Sequence, residues 1–298
     1  MIALWGANGF IGRHLVQKLH DMNYEIKLFS RGYSQFPPNI PDLGKISADF
    51  SKSESYIEYL RDCDTIVLMV SASGARTFIN NPDAELRQNV IPYKDFFLSL
   101  EHHNIKPENV IYLSSGGAIY GITDHSQISE ERPLNPVTPY GQGKMEIENL
   151  LRNYSARTGA KHTILRVSNP VGLWGKGLIP AALAAIKSGT PLAIEGDGST
   201  VRDYFDVRDL AKAIASVIKI RGRENMTLNV GSGQGHNINQ VIDIIEKITG
   251  KQVPAIHIKP PAGEIDYNVL DCRKIYNYTG WAAQTTLEQS IREIWNNQ

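Results

Sequence analysis

Residues 6–12 read Gly6-Ala7-Asn8-Gly9-Phe10-Ile11-Gly12. They stand between an apolar run, 2–5, that reads as a strand and a segment, 10–22, in which Ile11, Leu15, Val16 and Leu19 recur at helical spacing. A strand, a glycine turn and a helix in that order have a physical use. Gly6 permits the tight turn, Gly9 lets a pyrophosphate approach the backbone, and Gly12 lets the helix pack close on the strand. The unpaired N–H groups at the helix start, among Asn8, Phe10 and Ile11, then face the phosphates with a partial positive charge. Glycines also serve ordinary turns. The strand before, the helix after and a second strand at 25–29 are what mark this triplet as a dinucleotide-binding turn.

The second strand runs into Ser30-Arg31. An acid near this point would bind the ribose 2′-hydroxyl of NAD, whereas a hydroxyl beside a guanidinium suits the 2′-phosphate of NADP. The cofactor is therefore expected to be NAD or NADP, with Ser30-Arg31 tilting towards NADP. Asp49-Phe50 follows the strand-like Ile46 and is expected to hydrogen-bond and flank the adenine.

Outward from this turn, strand-like and helix-like segments keep alternating. A short helix is expected at 55–61, a buried strand at 65–70, a long helix at 83–103, a strand at 110–113, a helix at 140–158 and a strand at 162–167. Continuous β-branched strands separated by helices imply a parallel sheet covered on both faces. Right-handed crossovers make it a Rossmann-like, doubly wound α/β fold. After Val167 the texture changes to a loop with Asn169-Pro170, Gly172, Gly175, Gly177 and Pro180, and later to a glycine-rich turn at 195–199. We expect residues 1–168, with about 203–231, to form the cofactor domain. Residues 169–202 and 232–298 are then a smaller, mainly C-terminal substrate-binding lobe.

The 298 residues hold 31 basic and 31 acidic side chains, a balance that argues against general binding to nucleic acid or a membrane surface. Two cysteines, Cys63 and Cys272, exclude a disulfide framework or a cysteine-rich metal site, and no histidine pair has metalloprotease spacing. No apolar run is long enough to span a bilayer, and the N-terminus lacks the pattern of a signal peptide, so a cytoplasmic protein is expected.

Tyr140-Gly-Gln-Gly-Lys144 sets a phenol and an ammonium four residues apart at a helix start, on one face. A tyrosine loses its proton near pH ~10. The ammonium, and the positive ring of an oxidised nicotinamide, are expected to lower that value. The phenol would then take a proton from a substrate hydroxyl while hydride leaves its carbon. Alone, such a pair is common on exposed helices. Beside the dinucleotide turn and the hydroxyl-rich strand end Ser114-Ser115-Gly116-Gly117, it reads as chemistry.

Together these features resemble the extended short-chain dehydrogenase/reductase family, specifically its nucleotide-sugar epimerase/dehydratase branch. The resemblance covers almost the whole chain. It is carried by GANGFIG (6–12), Asp49, Asn89 in the long helix, SSGGAIYG (114–121), YGQGK (140–144), Ser168-Asn169-Pro170-Val171-Gly172, Val201-Arg202-Asp203-Tyr204 and Asp271. It implies that Asn169 and Arg202 hold the diphosphate of a nucleoside-diphosphate sugar, that Asn89 lies near the cofactor, and that Asp271 belongs to the substrate site. It also implies a Ser or Thr hydroxyl at the end of the strand, orienting the reacting sugar oxygen. This chain has Gly116 at that position, so Ser115, with Ser114 in reserve, is the expected substitute. Dehydratases of the branch carry an acid pair just beyond; here Gly117 and Ala118 stand there, which disfavours 4,6-dehydration.

Three functions follow as expectations. The first is a nucleotide-sugar 4-epimerase serving surface-polysaccharide precursor synthesis. The second is an NADPH-dependent reductase of 4-keto-(6-deoxy)sugar nucleotides. The third, a non-enzymatic NADP sensor on the same fold, does not need the retained Tyr140 and Lys144. The resemblance further implies a homodimer built on the helices at 83–103 and 140–158.

Overall fold

The computed structural model describes every residue except 34–35, 37–43, 75, 221–223, 261–264 and 298. In chain order the elements begin β1 (Ile2–Trp5), α1 (Phe10–Asp21), β2 (Ile26–Ser30), β3 (Lys45–Ser47), β4 (Thr65–Leu68) and α2 (Pro82–Glu85). A π-helical turn, Leu86–Val90, joins α2 to α3 (Ile91–His102). Then come β5 (Asn109–Ser115), α4 (Gly116–Ile119), α5 (Pro139–Thr158), β6 (Lys161–Val167), β7 (Asn169–Val171) and α6 (Leu178–Ser188). The rest are β8 (Leu192–Glu195), β9 (Val201–Asp206), α7 (Val207–Lys219), β10 (Met226–Val230), β11 (Gly235–Asn237) and α8 (Ile238–Thr249). The chain closes with β12 (Ala255–Ile258), β13 (Tyr267–Asn268), α9 (Arg273–Thr279) and α10 (Leu287–Asn296).

Seven strands form one sheet in the order β10-β6-β5-β4-β1-β2-β3. Every neighbouring pair is parallel. The chain runs outward from β1 to β3 and then returns to β4 on the other side of β1. The strand order reverses there, and a crevice opens at the carboxyl ends of β1 and β4. Trp5, the last residue of β1, lies opposite Phe29 on one side and Leu68 on the other.

Both faces of the sheet are covered. On one, Leu15, Val16 and Leu19 of α1 pack with Leu210, Ile214 and Val217 of α7. On the other, Phe96, Phe97 and Leu100 of α3 pack with Ile147, Leu151 and Tyr154 of α5. This explains the unbroken apolar strands: Ile2, Ala3, Leu4 and Trp5 have no solvent face to give to polar side chains.

The second lobe has its own core, in which Val171, Leu183, Val241, Ile245 and Ile291 meet. β9 is the hinge of its main sheet, paired with β7, β11 and β13. Asn237 and Thr286 start α8 and α10 with reciprocal capping boxes. The C-terminal stretch does not stay in this lobe. Ile275 and Trp281 return to the first core, and Trp281 Nε1 donates to the Asp209 carbonyl at 3.0 Å.

Some expected boundaries shift for physical reasons. The helix expected at 55–61 is two 3₁₀ turns, Ser53–Ser55 and Ile57–Leu60. The long helix at 83–103 is interrupted by the π-helical turn that carries Asn89. β5 extends to Ser115, and the two glycines that follow open a short helix instead of a loose turn. Among the described residues, no helix is long and apolar enough to cross a membrane.

Candidate active site

The glycine turn lies at the strand-order reversal. Gly6 has φ +85°, and Gly9 N donates to Gly6 O at 2.9 Å. α1 starts with neither a side-chain cap nor an acidic residue in its first turn. Its leading N–H groups are thus left for an anion. Asn8 Oδ1 is buried without a hydrogen-bond partner in the same turn. Close glycine backbone and uncapped donors fit the diphosphate of a dinucleotide.

At the far end of this crevice, Ser30 Oγ donates to Gly32 O at 3.0 Å, and Arg31 is exposed. Asp49 accepts from Ser51 N and Oγ at 3.0 and 2.8 Å. The Ser51 hydroxyl, first, then its N–H, and in part the charges of Lys52 and Arg31, hold the Asp49 carboxyl below its usual value. Phe50 departs from the expectation. Its ring is core, stacked on Phe96 at 4.9 Å and edge-on to Trp5 at 5.0 Å. A ring committed to that aromatic group has no face for adenine, so only its backbone remains for that role. Asn89 takes Ala72 N on Oδ1 at 2.8 Å and gives Nδ2 to Ser73 Oγ and Glu85 Oε1. It holds the loop after β4 in place.

Tyr140 and Lys144 sit in the first turns of α5, whose start is fixed by Thr138 Oγ1 accepting from Gly141 N at 3.1 Å and by Pro139. Two glycines bring this helix close to its neighbours. A Cβ at Gly141 would stand 2.4 Å from Ala118 O, and one at Gly143 would stand 2.7 Å from Glu85 Oε1. Ser115, the hydroxyl expected to stand in at this strand end, eases ionisation of the Tyr140 phenol. Ser114 Oγ, in reserve, is buried with no partner.

The expected acidity of Tyr140 is not what the ligand-free protein shows. Burial pushes the phenol up to about 12; the Ser115 hydroxyl opposes this, and Glu85 adds to it. Burial likewise brings Lys144 down to about 8, against the charges of Glu85 and Glu148. The Lys144 ammonium donates to Leu113 O at 3.0 Å and lies 5.0 Å from the Tyr112 ring centre and 5.6 Å from that of Tyr140. Desolvation therefore outweighs the pairing that the spacing suggested.

The structure also explains Gly116. A Cβ there would meet Leu270 Cδ1 at 2.6 Å and Arg166 O at 3.1 Å. Leu270 fills the place where a side-chain hydroxyl would project. Gly116→Ser is expected to lose about 1–3 kcal/mol of stability by overpacking, and Leu270→Ala in the same chain should recover part of it. Thermal denaturation of the single and double variants checks this.

The second lobe brings the expected diphosphate ligands onto adjacent strands. Asn169 on β7 lies opposite Tyr204 on β9, two residues beyond Arg202, and its Nδ2 donates to Asp203 O at 3.4 Å. Arg202 Nη1 donates to Val201 O at 2.9 Å. His236 on β11 and Asn268 on β13 flank Arg202 in one cross-strand row. Asn268 Nδ2 donates to Gly116 O at 2.9 Å, which places this row against the end of β5. His236 Nδ1 and Asn268 Oδ1 are buried without partners. Asp271 differs from expectation. Its carboxylate accepts from the N–H and guanidinium of Arg273, so it is spent on the start of α9.

Glu85, His236 and Asn268 escaped the sequence reading. Each is polar and isolated in sequence, and only the fold shows Glu85 and Asn268 buried, and His236 half-buried, beside the motif residues. The signal for Glu85 was indirect: a glycine at 143, inside a helix, where room is needed for a neighbour.

Residues 2–231 match the NAD dependent epimerase/dehydratase family. The chain is 28% identical to a dTDP-4-dehydro-6-deoxyglucose reductase of Escherichia coli, over 98% of this chain and 96% of that one. It is 26% identical to a UDP-glucose 4-epimerase of Bacillus subtilis, over 100% and 96%. Its fold superposes with a TM-score of 0.88 on the crystal structure of a UDP-glucose 4-epimerase from Thermotoga maritima with UDP-glucose. That pair shares 25% identity, with 99% of this chain and 97% of that chain covered. The glycine turn at the sheet's reversal, the Tyr140–Lys144 helix beside it and the match over three quarters of the sequence agree: the chain belongs to the NAD dependent epimerase/dehydratase family, with the family's NAD or NADP as cofactor.

Proposed function

We propose that the protein is a nucleotide-sugar 4-epimerase, working on the C4 hydroxyl of a hexose in a nucleoside-diphosphate sugar. The observation that carries this reading is the Lys144 ammonium, 5.6 Å from the Tyr140 ring and bonded to Leu113 O on β5, the strand that ends at Ser115. Bound nicotinamide supplies a hydride acceptor and donor. Tyr140 takes the proton of the sugar hydroxyl as its carbon is oxidised and returns it on reduction. Ser115 orients the sugar oxygen, and the Lys144 ammonium favours the phenolate when Tyr140 ionises. Placing Tyr140 in the first turn of α5 helps for the same reason, because the helix start is partially positive. Asn169 and Arg202 hold the diphosphate while the keto-sugar presents its other face.

A specific observation favours a second reading, reduction of a 4-keto-sugar nucleotide with Tyr140 as the proton donor. The Escherichia coli relative is named for such a reaction, and the exposed Arg31 beside Ser30 suits NADPH. Dehydration is disfavoured because Gly117 and Ala118 offer no acid or base. The protein is expected to act in the cytoplasm on precursors of surface polysaccharide. Leu86, Ile91 and Leu98, exposed on the long helix, support a homodimer through that helix and α5.

Mass spectrometry of the purified protein should find a dinucleotide, and interconversion of UDP-hexoses with no net change in nicotinamide absorbance should follow. Stoichiometric loss of NADPH absorbance with a 4-keto-6-deoxy sugar nucleotide, and no interconversion, would replace the epimerase by the reductase.

A further inference from the structure

Glu85 is 3% exposed and ends the first turn of the helix that faces α5. Both carboxylate oxygens accept: Oε2 from Ser73 Oγ at 2.6 Å and Oε1 from Asn89 Nδ2 at 2.9 Å. That all-acceptor pattern is the one an ionised carboxylate makes. Among the described residues no cation is in ion-pair contact with it. Its side chain lies against Gly143, in the turn between Tyr140 and Lys144, where a Cβ would be 2.9 Å from Cγ and 3.2 Å from Cδ of Glu85. A buried anion without a cation in contact is costly, and ordinary packing could be met by an apolar residue. Its placement, pressed into one turn of the proton-transfer helix, is what needs a reason.

We propose that Glu85 is a positioning residue of the reaction, the buried counter-charge that keeps Lys144 an ammonium and, through Ser73 and Asn89, locks the loop after β4 to the helix bearing Tyr140. The proposal rests on the reading of Tyr140 and Lys144 as the proton-transfer pair. The other neighbours of Lys144 favour its charge as dipoles and ring faces and not as a free counter-ion: Leu113 O accepts from it, and the Tyr112 and Tyr140 ring centres lie 5.0 and 5.6 Å away. Glu148, one turn on, is engaged by Arg166 at 2.8 Å and Arg152 at 3.2 Å. Tyr112 beneath it is a neutral ring, and Tyr93 on α3 gives its hydroxyl to Val70 O at 2.8 Å. The Glu85 charge does more than that of Glu148 to hold Lys144 up against desolvation, and it also makes Tyr140 harder to ionise. The same carboxylate thus opposes premature loss of either proton. Gly143 is the sequence feature that lets it come close.

The test reads Lys144 directly. Protein carrying ¹³C-labelled lysine is titrated by NMR, with the Lys144 signal assigned by its loss in Lys144→Arg. Glu85→Gln keeps the size and one accepted hydrogen bond, turns the other oxygen into a donor amide, and removes the charge. The Lys144 midpoint should fall by about one pH unit. Gly143→Ala is the second variant, since its methyl must push the carboxylate away; it should move the midpoint the same way by a smaller amount. A midpoint unmoved in Glu85→Gln, or unmoved in Gly143→Ala should the first variant fail to fold, overturns the proposal. The titration needs no substrate. If Tyr140→Phe proves fully active while Lys144 still shifts, the proton-transfer reading has failed and the counter-charge has not.

Discussion

Turnover of Tyr140→Phe should be lower than that of the wild type by about 10³-fold, in the middle of the range for removing a general acid–base group. The substrate KM should stay within about threefold, because the phenol is proposed to act on the proton in flight and not on the diphosphate grip proposed for Asn169 and Arg202. The phenylalanine ring fills the same space, and Ser115 is the neighbour that loses the hydroxyl. The defect should therefore appear as lost rate in a folded protein that still retains its dinucleotide. pH dependence sharpens the test. With the phenol pushed up to about 12 by burial in the ligand-free protein, the ionised fraction is small at neutral pH and rises with pH. In the direction where Tyr140 accepts a proton, the wild-type rate should climb with pH on its acid limb, and that limb should be absent in the variant. A variant with wild-type turnover, or with the same limb, would remove Tyr140 from the mechanism.

The parts of this molecule that could be read beforehand are those governed by local rules. The glycine turn at 6–12 depends on neighbours within a few residues, and the strand and helix around it carry their own periodicity. The Tyr140–Lys144 spacing is likewise internal to one helix. What could not be read depends on contacts between distant segments. Phe50 follows a strand in a cofactor domain, yet its ring belongs to an aromatic group assembled from β1, β2 and α3. Asp271 is expected in the substrate site, and nothing in the sequence signals that its carboxylate also pairs with Arg273, two residues on. Burial holds the Tyr140 phenol up in the ligand-free protein, which spacing does not show, because spacing reports proximity to Lys144 and says nothing of desolvation. The replacement of the usual hydroxyl by Gly116 made sense only with Leu270, which lies far along the chain. The short strands β7, β8, β9, β11, β12 and β13 were missed for a related reason. Most run for two to four residues, too few for alternation to show, and they exist because they pair with one another.

Gly12→Ala should abolish retention of the dinucleotide, weakening its binding by at least about 100-fold, or about 2.7 kcal/mol. The added methyl would stand 2.2 Å from Gly6 O, 2.7 Å from Ala7 O and 2.8 Å from Ala7 C. All three are backbone atoms of the turn that must receive the pyrophosphate, so no side chain can swing aside. Two effects compete. Alanine inside a helix is favoured over glycine by up to about 1 kcal/mol. Overpacking against rigid backbone costs about 3 kcal/mol or more, so the clash decides the sign. Relief requires α1 to move away from β1, and that movement takes its uncapped N–H groups out of register with the glycine turn. Gly32→Ala is the matched control at the other end of the crevice. Among the described residues nothing lies within 4 Å of a Cβ there, and stability should change by no more than about 0.5 kcal/mol. The readouts are the dinucleotide content of purified protein and its melting temperature with and without added NAD or NADP. If Gly12→Ala kept its dinucleotide and its stability, helix α1 would not be the phosphate site, and the approach of cofactor to backbone on which the site is built would be lost.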